Sequence, residues 1–146
     1  MALLVAGEFP QVNIDKVVKM CLLHDLGEAI TGDIPSFLKT RQDEENESLA
    51  VTELLHSLPE KLACEFRELF SEMSELNTAE SKLFKALDNL EALVSHNEAP
   101  IDTWLPLEYS ENLVYGTENT AYSEYLRTLR EEIKQDSIKK IERSNN

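Results

Sequence analysis

Met20-Cys21-Leu22-Leu23-His24-Asp25-Leu26-Gly27-Glu28-Ala29-Ile30-Thr31-Gly32-Asp33 is the stretch where a packing face turns into chemistry. Upstream, Ile14, Val17, Val18 and Cys21 recur at the three-and-four spacing by which a helix faces a core. The same spacing carried on reaches His24, Asp25 and Glu28. An imidazole and two carboxylates therefore extend an apolar face, and burying them without partners is costly. A bound cation is one compensation. Adjacent helical residues project about 100 degrees apart, so His24 and Asp25 share an ion only if it sits beside the helix surface. Glu28, four after His24 and three after Asp25, lies on the same side one turn along, in reach of a water held there. Imidazole nitrogen with carboxylate oxygen suits a divalent metal ion such as manganese, cobalt, zinc, iron or magnesium. A His-Asp dipeptide is also what a helix-end histidine beside a surface acid looks like, and the dipeptide alone does not decide between the two.

The surrounding chain has 146 residues, a size expected of one domain (1–146), and its 42% hydrophobic fraction is that of a folded globule. Four glycines and little alternation of branched apolar residues favour an all-α fold. Met1 to Ala6 is apolar but short, without the positive region of a secretory signal, and reads as a broken helix. No window approaches the roughly 20 apolar residues of a membrane span. Cys21 and Cys64 are far apart in sequence and form no Cys-x-x-Cys pair, which suggests packed thiols in a reducing, cytoplasmic setting.

Asn13 is the expected N-cap of a helix that runs to about Gly32, where Pro35 blocks continuation. Gly32-Asp33-Ile34-Pro35 is then a turn, and Asp33 fits a turn former or a pocket residue. Arg41 to Glu47 is charged, as in a solvated loop or a first helical turn. Ala50, Val51, Leu54, Leu55 and Leu58 restore a helical period, which Pro59 stops. Ser57 with Glu60, and Asn77 with Glu80, read as capping boxes for two further helices. Their inward positions are Leu62, Phe66, Leu69, Phe70 and Met73 in one, and Leu83, Phe84, Leu87, Leu90 and Val94 in the other. Asp88 leaves the second at the margin of its buried stripe, where a metal or an ion pair with a lysine would satisfy it. Residues 99–116 carry Pro100, Trp104 and Pro106 and read as a long ordered loop, with Trp104 its anchor or part of a pocket wall. A last helix over 119–141 places Tyr122, Tyr125, Leu126, Leu129 and Ile133 on one side, and 142–146 is expected to fray.

A formal charge of −14 disfavours nucleic-acid polymers, which are held by clustered lysine and arginine. A single phosphate is different, because local charge decides. Lys39 and Lys85 are the candidate phosphate contacts, and Lys85, three before Asp88, is equally a surface lysine.

The run His24-Asp25-Leu26-Gly27-Glu28, then Gly32-Asp33-Ile34-Pro35, resembles the HD-domain phosphohydrolases and, within them, the branch containing the 5′-deoxynucleotidases. Lys85-Ala86-Leu87-Asp88-Asn89-Leu90-Glu91, His96-Asn97-Glu98 and Trp104-Leu105-Pro106-Leu107-Glu108-Tyr109 also look like this branch. The resemblance implies an HD-domain helical bundle with His24, Asp25 and Asp88 as metal ligands, Glu28 orienting or deprotonating the attacking water, and Asp33 lining the substrate pocket. The family pattern opens with a histidine on an earlier helix. No histidine precedes His24, and Met1 to Gly7 resembles the last turns of that helix, so the chain reads as N-terminally incomplete.

The resemblance thus implies a metal-dependent phosphomonoesterase acting on a nucleoside monophosphate, without a membrane or nucleic-acid partner. Apolar surface left by the earlier helix would be covered in a homodimer. Two other readings stay open: an impaired HD fold serving binding or oligomerisation, motivated by the absent histidine, and a phosphodiesterase or guanosine polyphosphate hydrolase, whose larger substrate calls for more basic residues than this chain offers.

Overall fold

In the computed structural model, which describes residues 1–35 and 38–144, the chain runs through α1 (Ala2–Val5), α2 (Ile14–Leu23), α3 (Glu28–Thr31), α4 (Arg41–His56), α5 (Glu60–Glu75), α6 (Ala79–Glu98), α7 (Glu108–Glu111), α8 (Thr117–Thr120) and α9 (Glu124–Ser144). Helix makes up 76% of the structure, with no strand among the described residues, as the all-α reading requires. The last two residues, part of the stretch expected to fray, lie outside the described residues, whereas Glu142 to Ser144 continue α9.

Helix α6 is the hub. Helices α2, α5, α8 and α9 all pack on it. Its Leu83, Phe84, Ala86, Leu87, Leu90 and Leu93 are buried, and so are Ser81 and Asn89, so little of its circumference faces water. Val17 and Met20 of α2 and Leu126 and Ile133 of α9 complete the core around it. Pro100 follows the helix end, where a missing N–H and fixed φ turn the chain away.

Local rules place the ends, with several shifts from the sequence reading. Asn13 caps α2, its Oδ1 accepting the Lys16 N–H at 3.2 Å. The α-helix then ends at Leu23 rather than near Gly32. His24–Leu26 tightens into a 3-10 turn, α3 follows, and Gly32 at φ +86° closes it in a conformation that L side chains rarely adopt. Arg41 to Glu47 is helical because Thr40 and Asp43 form a capping box. The two boxes expected further on do not form. The Ser57 hydroxyl donates to the Leu54 carbonyl at 2.7 Å, so it ends α4 and leaves Pro59 at the start of α5. Thr78 with Ser81, one residue later than Asn77 with Glu80, caps α6. Glu80 instead accepts the Asn13 N–H at 2.8 Å, which joins the starts of α6 and α2.

On α5, Leu62 is exposed and Ala63 takes the inward place. Helix α9 begins at Glu124, and Tyr122 and Tyr125 lie exposed while Leu126 and Ile133 pack inward. Cys21 packs against the core, but Cys64 is exposed. No helix among the described residues is long and apolar enough to cross a membrane.

Three helices are tied by Glu72 of α5, which pairs with Lys16 of α2 and accepts the hydroxyl of Thr78, the cap of α6. Burial acts to raise the Glu72 pKa, but Lys16 and Thr78 outweigh it and hold the carboxyl below its ordinary value of 4.5. A depressed folded pKa contributes stability that is present above the unfolded value and lost as pH falls through the folded one. Glu72→Gln is therefore expected to cost about 1 kcal/mol at neutral pH and to flatten the loss of stability on acidification below pH 4.5. Thermal unfolding of both proteins on either side of that pH checks this, and parallel acid limbs would contradict it.

Candidate active site

The 3-10 turn after α2 carries the first two polar groups of the site. His24 and Asp25 are sequence neighbours, yet the His24 Nε2 lies 3.1 Å from Asp25 Oδ2 and 3.2 Å from Asp88 Oδ1 of α6. The other ring nitrogen, Nδ1, is 3.0 Å from the Cys21 carbonyl oxygen one turn back. A carbonyl only accepts, so Nδ1 carries the proton and Nε2 is the atom turned toward the two acids. Phe84 meets the imidazole edge-on, ring centroids 5.3 Å apart, and fixes its plane.

These groups open into a cleft of about 730 Å³. His24, Asp25, Asp88, Glu28, Asp33, Lys39 and Lys85, the full set of sequence candidates, lie on its wall. Ser36 and Phe37, which follow Pro35 in the chain, lie outside the described residues.

A family model for the HD domain matches residues 1–130. The chain belongs to the HD-domain family. It is 36% identical over 104 residues to the 5'-deoxynucleotidase HDDC2 of Bos taurus, an alignment covering 67% of this chain and 48% of that protein. With the 5'-deoxynucleotidase HDDC2 of Homo sapiens it shares 35% over 94 residues, 60% of this chain and 44% of the relative. With the 5'-deoxynucleotidase plu3092 of Photorhabdus laumondii it shares 32% over 85 residues, 54% and 43% respectively. The chain thus spans about half the length of the curated relatives it matches. No solved structure matches it.

Charge in this HD domain is densely paired. Lys39 donates to Glu28 Oε1 at 3.0 Å and to Glu47 Oε2 at 2.5 Å, so the ammonium links α3 to α4 and its pKa is raised despite partial burial. Lys85 donates to Asp88 Oδ2 at 2.8 Å, which leaves Oδ1 to His24. Both lysines considered for phosphate are already engaged, and each holds an acid of the site in place. Sequence leaves Asp88 open between a metal and a lysine pair; in the structure the lysine pair is formed on one oxygen and the imidazole faces the other.

Burial acts to lower the His24 pKa, but Asp88 and Asp25 prevail and raise it. Asp88 is pushed up by burial and pulled further down by His24 and Lys85, so its carboxyl lies below the ordinary value. Asp25 goes the other way. Burial raises it, and the nearby charges of Glu28, Asp88 and Asp33 add to that against the pull of His24. An acid crowded by three others is short of positive charge.

That shortage bears on the divalent ion that the HD family implies. The donor types suit one: a nitrogen lone pair aimed by a backbone carbonyl, with a carboxylate oxygen from each of two segments at 3.1 and 3.2 Å from it. A carbonyl behind the ligating histidine is the usual means of orienting it. Among the described residues, however, no three such groups close into a metal cage.

Several wall residues escape a reading of the sequence. Glu47 has no signal there beyond its place in a charged run, and it belongs to the site only because α4 packs on α3. The cleft is also lined by His96, Glu108, Glu111, Asn112 and Tyr115. Trp104 anchors the long loop there, its indole N–H donating to the His96 carbonyl at 2.9 Å, and it does not line the cleft.

Proposed function

We propose that this HD domain is a metal-dependent phosphomonoesterase that releases phosphate from 5′-(deoxy)nucleoside monophosphates. The observation that carries the reading is the His24 ring, locked by the Cys21 carbonyl and turning Nε2 toward Asp25 and Asp88 on the wall of an open cleft. The substrate class is supported by the names of the relatives, each a 5'-deoxynucleotidase.

In the proposed mechanism His24, Asp25 and Asp88 hold the cation. Such an ion supplies positive charge against the phosphoryl oxygens and acidifies water. Lys85 keeps Asp88 turned toward His24. Glu28, one turn beyond Asp25 and oriented by Lys39, takes the proton of the attacking water. Asp33, at the exposed mouth beside Gly32, contacts the sugar. Lys39 and Lys85 lie close enough to the acids to offset the charge of an incoming phosphate. Phosphate monoesters hydrolyse so slowly unaided that positioning and charge must both contribute.

The test is phosphate release from 5′-deoxynucleoside monophosphates with added manganese or cobalt, with Asp25→Asn as the control. Release by the unsubstituted chain that disappears in the control supports the reading; equal release by both, or none by either, counts against it.

The same reading includes a homodimer in a cytoplasmic setting. Leu3, Leu4 and Leu22 are 74, 86 and 75% exposed on α1 and α2, which pack on each other, and apolar surface of this kind marks interfaces. Light scattering at micromolar concentration is expected to give twice the chain mass, and Leu4→Glu to reduce it. A monomer in both cases would contradict the dimer.

A further inference from the structure

Lys85 belongs to two cavities. It lines the cleft, where its ammonium donates to Asp88 Oδ2 at 2.8 Å. It also lines a second cavity of about 270 Å³, whose wall is completed by Leu76, Lys82, Glu118, Asn119 and Tyr122. None of these five residues lines the cleft. The second cavity lies where α8 packs on α6.

Its wall holds donors that nothing in the chain answers. With a formal charge of −14 the chain has acids to spare, and Lys16, Lys19 and Lys39 each meet one. Lys82, one helical turn before Lys85, has no acid partner among the described residues. The Asn119 amide and the Tyr122 hydroxyl have no hydrogen-bond partner among them either. Burial pushes the Tyr122 hydroxyl up to about 12, so it keeps its proton and stays a donor. Lys85 contributes as well, because an ammonium has three N–H donors and Asp88 accepts from one. Glu118 is the sole acid on this wall, and it is exposed, where water and salt screen it.

Two ammonium groups, an amide and a phenol together call for a compact anion with several acceptor oxygens, which is the chemistry of phosphate. A metal ion is repelled by the two lysines. The cleft does not compete for a free anion, since Asp25, Glu28, Asp33, Glu47 and Asp88 on its wall repel one in the absence of a cation.

We propose that the cavity beside Lys82 and Lys85 is a second binding site, for a phosphate-sized oxyanion, and that the anion shares Lys85 with Asp88. The site lies outside the phosphohydrolase reading and does not depend on it, but one side chain links the two cavities.

The test is calorimetric titration of the full chain with inorganic phosphate, without added metal. Saturable binding is expected, weakened about 10-fold in Lys82→Ala and about 3-fold in Tyr122→Phe, the scales of one charge-assisted and one neutral hydrogen bond. Lys82 is exposed and Tyr122→Phe keeps the ring, so both variants should fold, which circular dichroism checks. Asp88→Asn releases the Lys85 ammonium and is expected to tighten phosphate binding, and adding Lys82→Ala to it should weaken binding again by about 10-fold. Thymidine 5′-monophosphate, titrated alongside, separates two sources of the same group. Tighter binding than inorganic phosphate, still weakened by Lys82→Ala, supports the site as one for the phosphoryl end of a nucleotide; weaker binding supports it as one for the free ion. No saturation with either, or equal affinity in the unsubstituted chain and a folded Lys82→Ala, overturns the site. Unchanged or weaker binding in Asp88→Asn overturns the sharing of Lys85. Neither failure bears on phosphate release from nucleotides, which is measured separately.

Discussion

Asp25→Asn is expected to lower phosphate release by about 10²–10³-fold, the scale of losing one preorganised charged group at a reacting centre, while leaving the protein as stable as before or slightly more so. The two halves of that expectation come from the same geometry. Burial and the charges of Glu28, Asp88 and Asp33 raise the Asp25 pKa, which means that the ionised carboxylate is disfavoured in the folded chain. Asparagine removes that repulsion. The side chain is 62% exposed, so solvent screens most of this and the gain in Tm should be small. A cation reverses the balance. Manganese at a hundred times its Kd is expected to stabilise the unsubstituted chain by about 2.7 kcal/mol and the variant by much less. Calorimetry with and without metal separates these effects from misfolding. A variant that loses activity and also unfolds early, or one that manganese stabilises as well as the parent, would show that Asp25 is structural and not a ligand.

The reason Asp25 can be read from sequence at all is that helical periodicity extends a known face. Ile14, Val17, Val18 and Cys21 do pack against the core, and the next turn does carry the polar groups of the cleft. Periodicity cannot show that the helix changes pitch at Leu23. Consecutive residues diverge by about 100 degrees on an α-helix and about 120 degrees on a 3-10 turn, so His24 Nε2 meets Asp25 Oδ2 through the reach of the two side chains and not through the tightened backbone. The 3-10 turn sits where α3 packs on α4 and Phe84 meets the imidazole, contacts that no local pattern encodes. The cap of α6 illustrates a different limit. Asn77-Thr78-Ala79-Glu80-Ser81 offers two overlapping capping patterns, and Thr78 with Ser81 forms because Glu80 is taken by the Asn13 N–H, 67 residues away.

The acids of the site are legible for the same reason, being anomalies on apolar stripes, whereas their partners are not. Lys39 sits in a polar segment where a cation is unremarkable, and nothing local indicates that it will bridge Glu28 and Glu47. Asn112 is in the loop that sequence describes only as ordered. Its burial and its unmatched N–H are properties of the folded chain.

The bridge between α3 and α4 can be broken from a residue that carries no chemistry. Gly27 has ordinary helical dihedrals, φ −63° and ψ −42°, so alanine fits its backbone and by propensity alone would stabilise by about 1 kcal/mol. Space forbids it. A Cβ at Gly27 would stand 2.4 Å from Glu47 Cγ, 3.1 Å from the Glu47 carbonyl oxygen and 3.1 Å from Val51 Cγ2. The carbonyl and Val51 belong to the body of α4, so the helices must separate. Overpacking of this kind costs about 1–3 kcal/mol, and Gly27→Ala is expected to be destabilised by a net amount near the middle of that range. The consequence for function is larger. Glu47 holds Lys39, Lys39 holds Glu28, and a displacement near 1 Å at a positioned group costs about a hundredfold in rate. The double variant Gly27→Ala with Glu47→Ala removes the closest clash, so it should recover part of the stability while activity stays low for want of the Lys39 partner. Chemical denaturation and phosphate release on the single and double variants distinguish the two effects. Recovery of activity along with stability would mean that the glycine is needed for packing alone and that Glu47 does not act through Lys39.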